Sequence, residues 1–295
     1  MKKKVLIVGA TGMLGNGILY ELLKYKDLEV FGTTRFDEAK KYFNFKTVQK
    51  IISFVDIENT ECLIKVFKEV KPDVVLNCVG LIKQVMSDND KALAISMNAL
   101  FPHRLAALCG LSGARLIHFS TDCVFSGKKG FYQESDVSDA EDIYGRTKYL
   151  GEVIYDHCVT VRTSIIGHGL ESHVSLIDWF LTQKGKIRGY NQVIYSGLPT
   201  IEHARIIAKY ILPNEKLKGL YHISGRPIAK YDLLKIIAEV YGKKITIDPY
   251  DGVKHDLSLD STRFMRATQY NQPSWLNLIK KMYRYYQSNS NFIKY

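Results

Sequence analysis

A run of four apolar residues, Val5–Val8, leads directly into Gly9-Ala10-Thr11-Gly12-Met13-Leu14-Gly15 and then an amphipathic stretch, Leu14–Lys24. This junction constrains the fold more than any other stretch. A short continuous apolar run reads as a strand buried on both faces. The stretch after it reads as a helix. Glycines spaced G-x-x-G-x-x-G between the two have a definite physical use. Gly9 permits the tight turn, Gly12 lets the backbone approach a pyrophosphate, and Gly15 lets the helix pack closely. The helix N-terminus adds free N–H groups and a partial positive charge. The competing reading is a purely structural glycine-rich turn. A P-loop is excluded, because no G-x-x-x-x-G-K-S/T occurs.

The strand–helix alternation then continues. Leu28–Thr34 reads as a strand ending at Arg35, and residues 36–49 as a surface connection. Ile51–Val55 is a third strand, ending at Asp56, and Glu61–Val70 is helical. Asp73–Val79 is a fourth strand, and Asp90–Cys109 a long helix expected to kink at Pro102. Arg115–Phe119 is a fifth strand, Asp142–His157 a helix and Val159–Thr163 a sixth strand. This spacing predicts an α/β fold with a doubly wound parallel Rossmann sheet. After residue 165 the pattern breaks up over Gly167–Gly189. Helices follow at Ile201–Ile211, Lys230–Tyr241 and Trp275–Tyr286, with a short strand at Leu220–Ser224. The expected division is an NAD(P)-binding domain over 1–165, with 192–226 packing back on it. A smaller substrate-binding region takes 166–191 and 227–295. A length of 295 residues suits one large α/β unit with such an addition.

Composition narrows the function classes. Forty-one basic against 30 acidic residues give a net charge of +11. The charges do not gather in one arm, and neither zinc-finger spacing nor an aromatic-and-basic RNA motif occurs, so nucleic-acid binding is not expected. A basic surface suits phosphate-bearing ligands instead. The five cysteines, Cys62, Cys78, Cys109, Cys123 and Cys158, form no C-x-x-C pair. That argues for reduced thiols in a cytoplasmic compartment and gives a zinc site no support. The basic-then-apolar start is broken by glycines and lacks a cleavage pattern, so it is not read as a signal peptide. No apolar run is long enough to predict membrane insertion. No metal site is expected.

The residue after the second strand bears on the cofactor. An acid there would bond the ribose 2′-hydroxyl of NAD, whereas an arginine accommodates the 2′-phosphate of NADP. Arg35 stands there with no competing acid before Asp37, which favours NADPH over NADH. Asp56 would reach an adenine amino group unless it is a helix cap. Asn77-Cys78-Val79-Gly80, closing the fourth strand, would lie against the ribose–pyrophosphate. The candidate cofactor set is Gly9, Thr11, Gly12, Met13, Leu14, Gly15, Arg35, Asp56, Ile57, Cys78, Val79, Gly80 and Asn98, with Tyr144 and Lys148 at the nicotinamide end.

The chemistry is expected in Ser120–Lys148, STDCVFSGKKGFYQESDVSDAEDIYGRTK. Tyr144 and Lys148 stand at i and i+4, so on a helix they share a face about 5–6 Å apart. A free phenol titrates near pH ~10, too high for acid–base work at neutrality. A neighbouring ammonium lowers that value. Thr121 supplies a hydroxyl for a carbonyl oxygen on which charge develops. A lone Y-x-x-x-K is common by chance. Behind a strand-end Ser-Thr-Asp, in a chain opened by a dinucleotide loop, it predicts proton transfer to a carbonyl coupled to hydride transfer.

At these residues the chain resembles the extended short-chain dehydrogenase/reductase superfamily, and within it the dTDP-4-dehydrorhamnose reductase family. The matching pieces are VLIVGATGMLG, STDCVFSG, Tyr132-Gln133-Glu134-Ser135-Asp136, and Tyr144-Gly145-Arg146-Thr147-Lys148 with Gly151-Glu152. Arg162-Thr163-Ser164, Gly197-Leu198-Pro199-Thr200 and Gly219-Leu220-Tyr221-His222-Ile223-Ser224 extend the match, which thins after residue 225. The resemblance implies reduction of the C4 keto group of a nucleotide-linked 4-keto-6-deoxy sugar in cell-surface polysaccharide synthesis. In that reading Tyr144 protonates the C4 oxygen, Lys148 tunes Tyr144 and holds the nicotinamide ribose, and Thr121 bonds the reacting oxygen. Asp122 and Cys123 meet the sugar, and Lys83 meets the sugar or a phosphate. The implied partner is a nucleotide sugar, with a homodimer as the candidate assembly.

Two positions depart from the family pattern. Cys123 stands where the family has Tyr, and Ile165 where the rhamnose enzymes have Trp. Both belong to the sugar pocket, so a UDP-linked N-acetylhexosamine is as good a fit as dTDP-rhamnose chemistry. The 4,6-dehydratases of the superfamily carry Asp-Glu after the Thr; Cys123 cannot serve as that acid, which excludes dehydration. An epimerase, and a non-catalytic NADP-binding regulatory subunit, remain as alternatives. His118 is expected to be a satisfied core histidine. His168, His173 and His222 lack metal-ligand spacing, and Tyr283-Arg284-Tyr285-Tyr286 reads as an exposed helix end.

Overall fold

In the computed structural model the described residues are 2–83, 90–170, 175–289 and 292; His173 lies outside them. Six strands open the chain: β1 (Lys3–Val8), β2 (Leu28–Thr33), β3 (Ile51–Ile52), β4 (Val74–Asn77), β5 (Arg115–Thr121) and β6 (Cys158–Thr163). With the strand Gly219–His222 they form one seven-stranded sheet, in which Gly219–His222 is followed by β6, β5, β4, β1, β2 and β3. The β3–β2–β1–β4–β5 pairings are parallel. The strand order turns at β1, where the chain leaves for β2 on one side and later returns to β4 on the other. This is the doubly wound Rossmann arrangement, and its switch point is the end of β1.

The first of two compact units comprises Met1–Thr121, Glu141–Val161 and Ala204–Leu220. Val5, Leu6, Ile7 and Val8 are fully buried, as a strand covered on both faces requires. One layer of the core joins Leu6, Val75 and Leu116 of the sheet to Val66, Phe101 and Leu105 of flanking helices. Each such side chain stabilises the fold by about 1.5–3 kcal/mol.

Three local expectations change. The third strand stops at Ile52, because Phe54 takes φ 59, a left-handed conformation that ends pairing. The long helix expected around Pro102 is built of three segments. A π-helical segment, Ile95–Leu100, lies between Lys91–Ala94 and Phe101–Ser112, and Pro102 enters in the first turn after it. There its missing N–H and its ring are tolerated. The span Lys91–Ser112 has the length and hydropathy to cross a membrane, yet Phe101, Leu105, Ala106 and Cys109 belong to the core. The helix after Asp142 ends at Leu150 rather than His157, with Gly151 as its C-cap. A Cβ on Gly151 would lie 1.9 Å from the Asn98 carbonyl oxygen, and Val153 beyond it is fully buried.

The second unit comprises Asp122–Ala140, Arg162–His203 and Tyr221–Tyr295. It is built from short paired strands and the helices Leu176–Thr182, Lys230–Tyr241, Thr262–Thr268 and Trp275–Ser288. The last helix corrects the expectation of an exposed tyrosine tail. Trp275, Leu278, Ile279, Met282, Tyr285 and Tyr286 are buried, an i, i+3, i+4, i+7 stripe that continues to the helix end. The Tyr286 ring stacks on His168 with centroids 4.1 Å apart. His168 is bonded on both nitrogens, to Asp178 at 2.6 Å and Tyr241 at 2.8 Å. It is part of the packing.

Candidate active site

The glycine loop follows β1 at the switch point. Gly9 has φ +87, and a Cβ there would lie 2.8 Å from Val79 Cγ2, so both backbone and space require glycine. A Cβ on Gly15 would lie 2.1 Å from the Gly9 carbonyl oxygen, so only glycine lets the helix start this close to the strand. Gly12 is different, because a Cβ there meets only ordinary contacts. Gly12 is the N-cap of helix Met13–Leu22, which has no side-chain cap and no acid in its first turn. The Gly9 N–H donates to the Thr33 hydroxyl at 3.2 Å, which ties the loop to the end of β2. Gly12, Met13 and Leu14 therefore open a helix whose end is shaped and charged for a phosphate.

Arg35 is exposed just past β2, its guanidinium over the Phe36 ring at 5.3 Å. Asp37 does not compete with it, since its carboxylate pairs with Lys40 at 2.7 Å. Asp56 is exposed, and its Oδ1 accepts the Glu58 N–H at 3.0 Å. The cap of the next helix is Asn59, which accepts from Glu61 and Cys62. Ile57 lies in the same turn. Cys78, Val79 and Gly80 close β4, and Val79 packs on Gly9. Asn98 holds the following segment, accepting the Leu81 N–H at 2.9 Å and donating to the Leu81 carbonyl at 3.0 Å. These groups fit a dinucleotide: glycine where a pyrophosphate would approach, an uncapped helix end, and an unchallenged arginine for a 2′-phosphate.

Thr121, Tyr144 and Lys148 all lie in the first unit. Thr121 ends β5, two residues beyond the predicted strand end. Tyr144 and Lys148 are one turn apart on helix Ile143–Leu150, Tyr144 half-buried and Lys148 buried. Asp142 caps that helix by accepting the Gly145 N–H at 2.8 Å, and its other oxygen accepts from Lys83 at 2.7 Å. Lys83 is thus engaged at the start of helix Ile143–Leu150. Burial works against the Asp142 charge, but the Gly145 N–H and Lys83 outweigh it and hold the carboxyl below its ordinary value.

Lys148 donates to the Phe119 carbonyl at 2.6 Å, which fixes its ammonium against β5. Burial lowers its pKa to about 8, partly offset by the Glu152 carboxylate. A Cβ built on Gly80 would lie 3.3 Å from Asn98 Oδ1 and 3.8 Å from Lys148 Nζ, so the end of β4 sits beside the lysine. Sequence reasoning missed one support. Ser120 donates to Glu152 at 2.7 Å, joining the Ser-Thr-Asp strand end to the segment after helix Ile143–Leu150. The sequence signal was present, since both residues lie in matched motifs, but their separation hid the pairing.

In the second unit Asp122 is buried and Cys123 half-buried, the Cys123 thiol donating to Asp122 Oδ1 at 3.6 Å. Two further groups, Tyr195 and Lys230, feel their field. Burial pushes the Tyr195 phenol up, with Asp122 and Cys123 adding to the rise. Burial pulls the Lys230 ammonium down while the same two residues oppose it. Nothing in the spacing of these residues announced their approach. Ile165 pairs with Leu198 in a short parallel ladder.

Several motif residues are structural. The Tyr132 ring stacks on Phe125 at 4.1 Å, Glu134 accepts the His222 N–H at 2.8 Å, and Asp136 pairs with Lys129. His222 itself faces the Tyr132 carbonyl at 3.0 Å. His118 corrects one expectation. Its Nδ1 meets the Asn77 amide at 3.1 Å, but its buried Nε2 has no hydrogen-bond partner among the described residues. It is a core histidine that is only half satisfied, and burial keeps it neutral.

Comparisons with known proteins find relatives that match most of the chain. The spore coat polysaccharide biosynthesis protein SpsK of Bacillus subtilis is 28% identical over 275 residues, covering 85% of this chain and 89% of that protein. The methionine adenosyltransferase 2 subunit beta of Xenopus tropicalis is 24% identical over 252 residues, covering 81% and 72%. Among solved structures, the dTDP-4-dehydrorhamnose reductase of Bacillus anthracis in complex with NADP superposes with a TM-score of 0.78. It is 24% identical and covers 97% of this chain and 100% of its own. The family model described as the RmlD substrate binding domain matches residues 2–284, and the chain belongs to that family.

Proposed function

We propose that this chain is an NADPH-dependent reductase acting on the C4 keto group of a nucleotide-linked 4-keto-6-deoxy sugar, in cell-surface polysaccharide synthesis. One observation carries the reading. Tyr144 stands one turn before a buried Lys148, on a helix of the unit that also holds the uncapped glycine loop and Thr121. In this reading the first unit takes the cofactor and the second contributes recognition of the sugar. Gly12, Met13 and Leu14 take the pyrophosphate, Arg35 the 2′-phosphate and Asp56 the adenine edge. Bound there, NADPH supplies the hydride.

The chain's own residues handle the proton. Lys148, at about 8, is an ammonium at neutral pH. Its positive charge lies in a poorly screened interior and favours the phenolate of Tyr144. A phenol so tuned gives its proton to the C4 oxygen as charge develops there. The Thr121 hydroxyl donates to the same oxygen. Phe119 and the Ser120–Glu152 pair keep Lys148 and Thr121 in register, which matters because small misplacements cost rate steeply. Asp122 and Cys123 face the sugar. With no acid at Cys123, elimination of water is not catalysed. The nucleotide is dTDP or UDP. Five free thiols fit a cytoplasmic location.

The likeness to a methionine adenosyltransferase subunit favours a second reading, a cofactor-binding regulatory subunit. The presence of Thr121, Tyr144 and Lys148 together argues for turnover. NADPH oxidation against a panel of dTDP- and UDP-linked 4-keto-6-deoxy sugars separates the readings, with product configuration read by NMR. Consumption with one sugar supports the reductase. Tightly retained cofactor without net consumption indicates an epimerase, and no reaction with any sugar overturns the proposal.

A further inference from the structure

The second unit contains a cavity of about 860 Å³. Its walls are the turn Gln133–Ser135, Tyr221, and the helix Thr262–Thr268 with Asp260 before it. That volume falls within the range of small-molecule sites. Thr121, Asp122, Cys123, Tyr144 and Lys148 do not line it.

The charges in this cavity are arranged unequally. Arg263 and Arg266 are one helical turn apart, share a face and are exposed. The Arg263 guanidinium lies over the Tyr221 ring at 4.9 Å, which holds its plane. Neither arginine has an ion-pair partner among the described residues. The two wall carboxylates keep their charge, and each already accepts hydrogen bonds from other groups. Glu134 accepts the His222 N–H at 2.8 Å. Asp260 accepts the Thr262 N–H at 2.9 Å and the Thr262 hydroxyl at 2.5 Å. Gln133 donates to its other oxygen at 3.5 Å. Burial pushes the Glu134 carboxyl up, opposed by the His222 N–H and the nearby Arg263 charge. The wall thus carries two guanidinium forks and two carboxylates, and among the described residues only the carboxylates are already bonded to neighbouring side chains or backbone.

We infer that this cavity binds a small phosphate-bearing molecule, clamped through its phosphoryl oxygens by Arg263 and Arg266. The guanidinium fork matches phosphate oxygens two at a time, and a doubly charged group answers two such forks better than a single carboxylate does. The site does not depend on the reductase reading.

The test is a calorimetric titration of the full chain with inorganic pyrophosphate at fixed ionic strength, with NADPH at saturation to fill the glycine loop. One binding event is expected. Arg266→Gln should weaken it about 10-fold, the effect of losing one charge-assisted hydrogen bond, and Arg263→Gln with Arg266→Gln should weaken it further. Circular dichroism and NADPH turnover of both variants should match the wild type. No pyrophosphate heat, or equal affinity in wild type and variants, overturns the inference. Should the double variant misfold, Arg266→Gln alone decides. Should NADPH fail to fill the loop, the arginine dependence still separates this cavity from it.

Discussion

Lys148 holds an ammonium in the interior, and that has consequences for stability as well as chemistry. Burial lowers its pKa from 10.5 to about 8, with Glu152 opposing. Below about pH 8 both folded and unfolded chains carry the proton, so the cost of burial is constant. Between about pH 8 and 10.5 the unfolded chain binds more protons, and stability rises with pH. Lys148→Met lacks this dependence. It should therefore be more stable than the wild type near neutrality, with the gap closing towards pH 10.5. Its turnover should fall at least ~10²-fold. Denaturant titrations across that range check the first part; a gap that does not change with pH contradicts it. Arg35 is the other decisive residue. Arg35→Glu should move the ratio of kcat/KM values from NADPH towards NADH, and an unmoved ratio would remove the 2′-phosphate argument.

At the scale of elements, the glycine loop is the most demanding piece. Gly15→Ala sets a methyl 2.1 Å from the Gly9 carbonyl, so strand and helix must part. A loss of about 1–3 kcal/mol is expected in denaturation, with a larger proportional loss of NADPH affinity in a fluorescence titration. Normal affinity in the folded variant would show that the loop's closeness is structural only. This loop was legible in the sequence because its chemistry is local, a strand and a helix joined by glycines. Other elements were not. The short β3 depends on Phe54 adopting a left-handed backbone, and the helix holding Pro102 on a π-helical segment before it. Neither conformation leaves a mark in composition or period. The buried tyrosines of Trp275–Ser288 did leave one, since the stripe has helical spacing. Tyrosine hides such a stripe, because its ring can be buried while its hydroxyl marks it as polar.

Across the whole molecule, the net charge of +11 acts on ligands that carry several negative charges. Salt should therefore lower kcat/KM through capture of cofactor and substrate while kcat changes little. Initial rates from low to high ionic strength check this, and an equal fall in kcat would point to damage at the chemical step. The parallel, doubly wound architecture was readable from the alternation of apolar runs and helices. The placing of Tyr144 and Lys148 one turn apart on a helix was readable from their spacing. The Ser120–Glu152 pair and the approach of Tyr195 and Lys230 to Asp122 come from long-range packing, which no spacing encodes.

The central claim is that Tyr144 delivers the proton to a carbonyl being reduced. NADPH oxidation by Tyr144→Phe, measured with the best 4-keto sugar beside NADPH affinity, tests it most directly. The account predicts turnover lower by at least ~10²-fold with affinity within about twofold of wild type. Turnover equal to the wild type would contradict it.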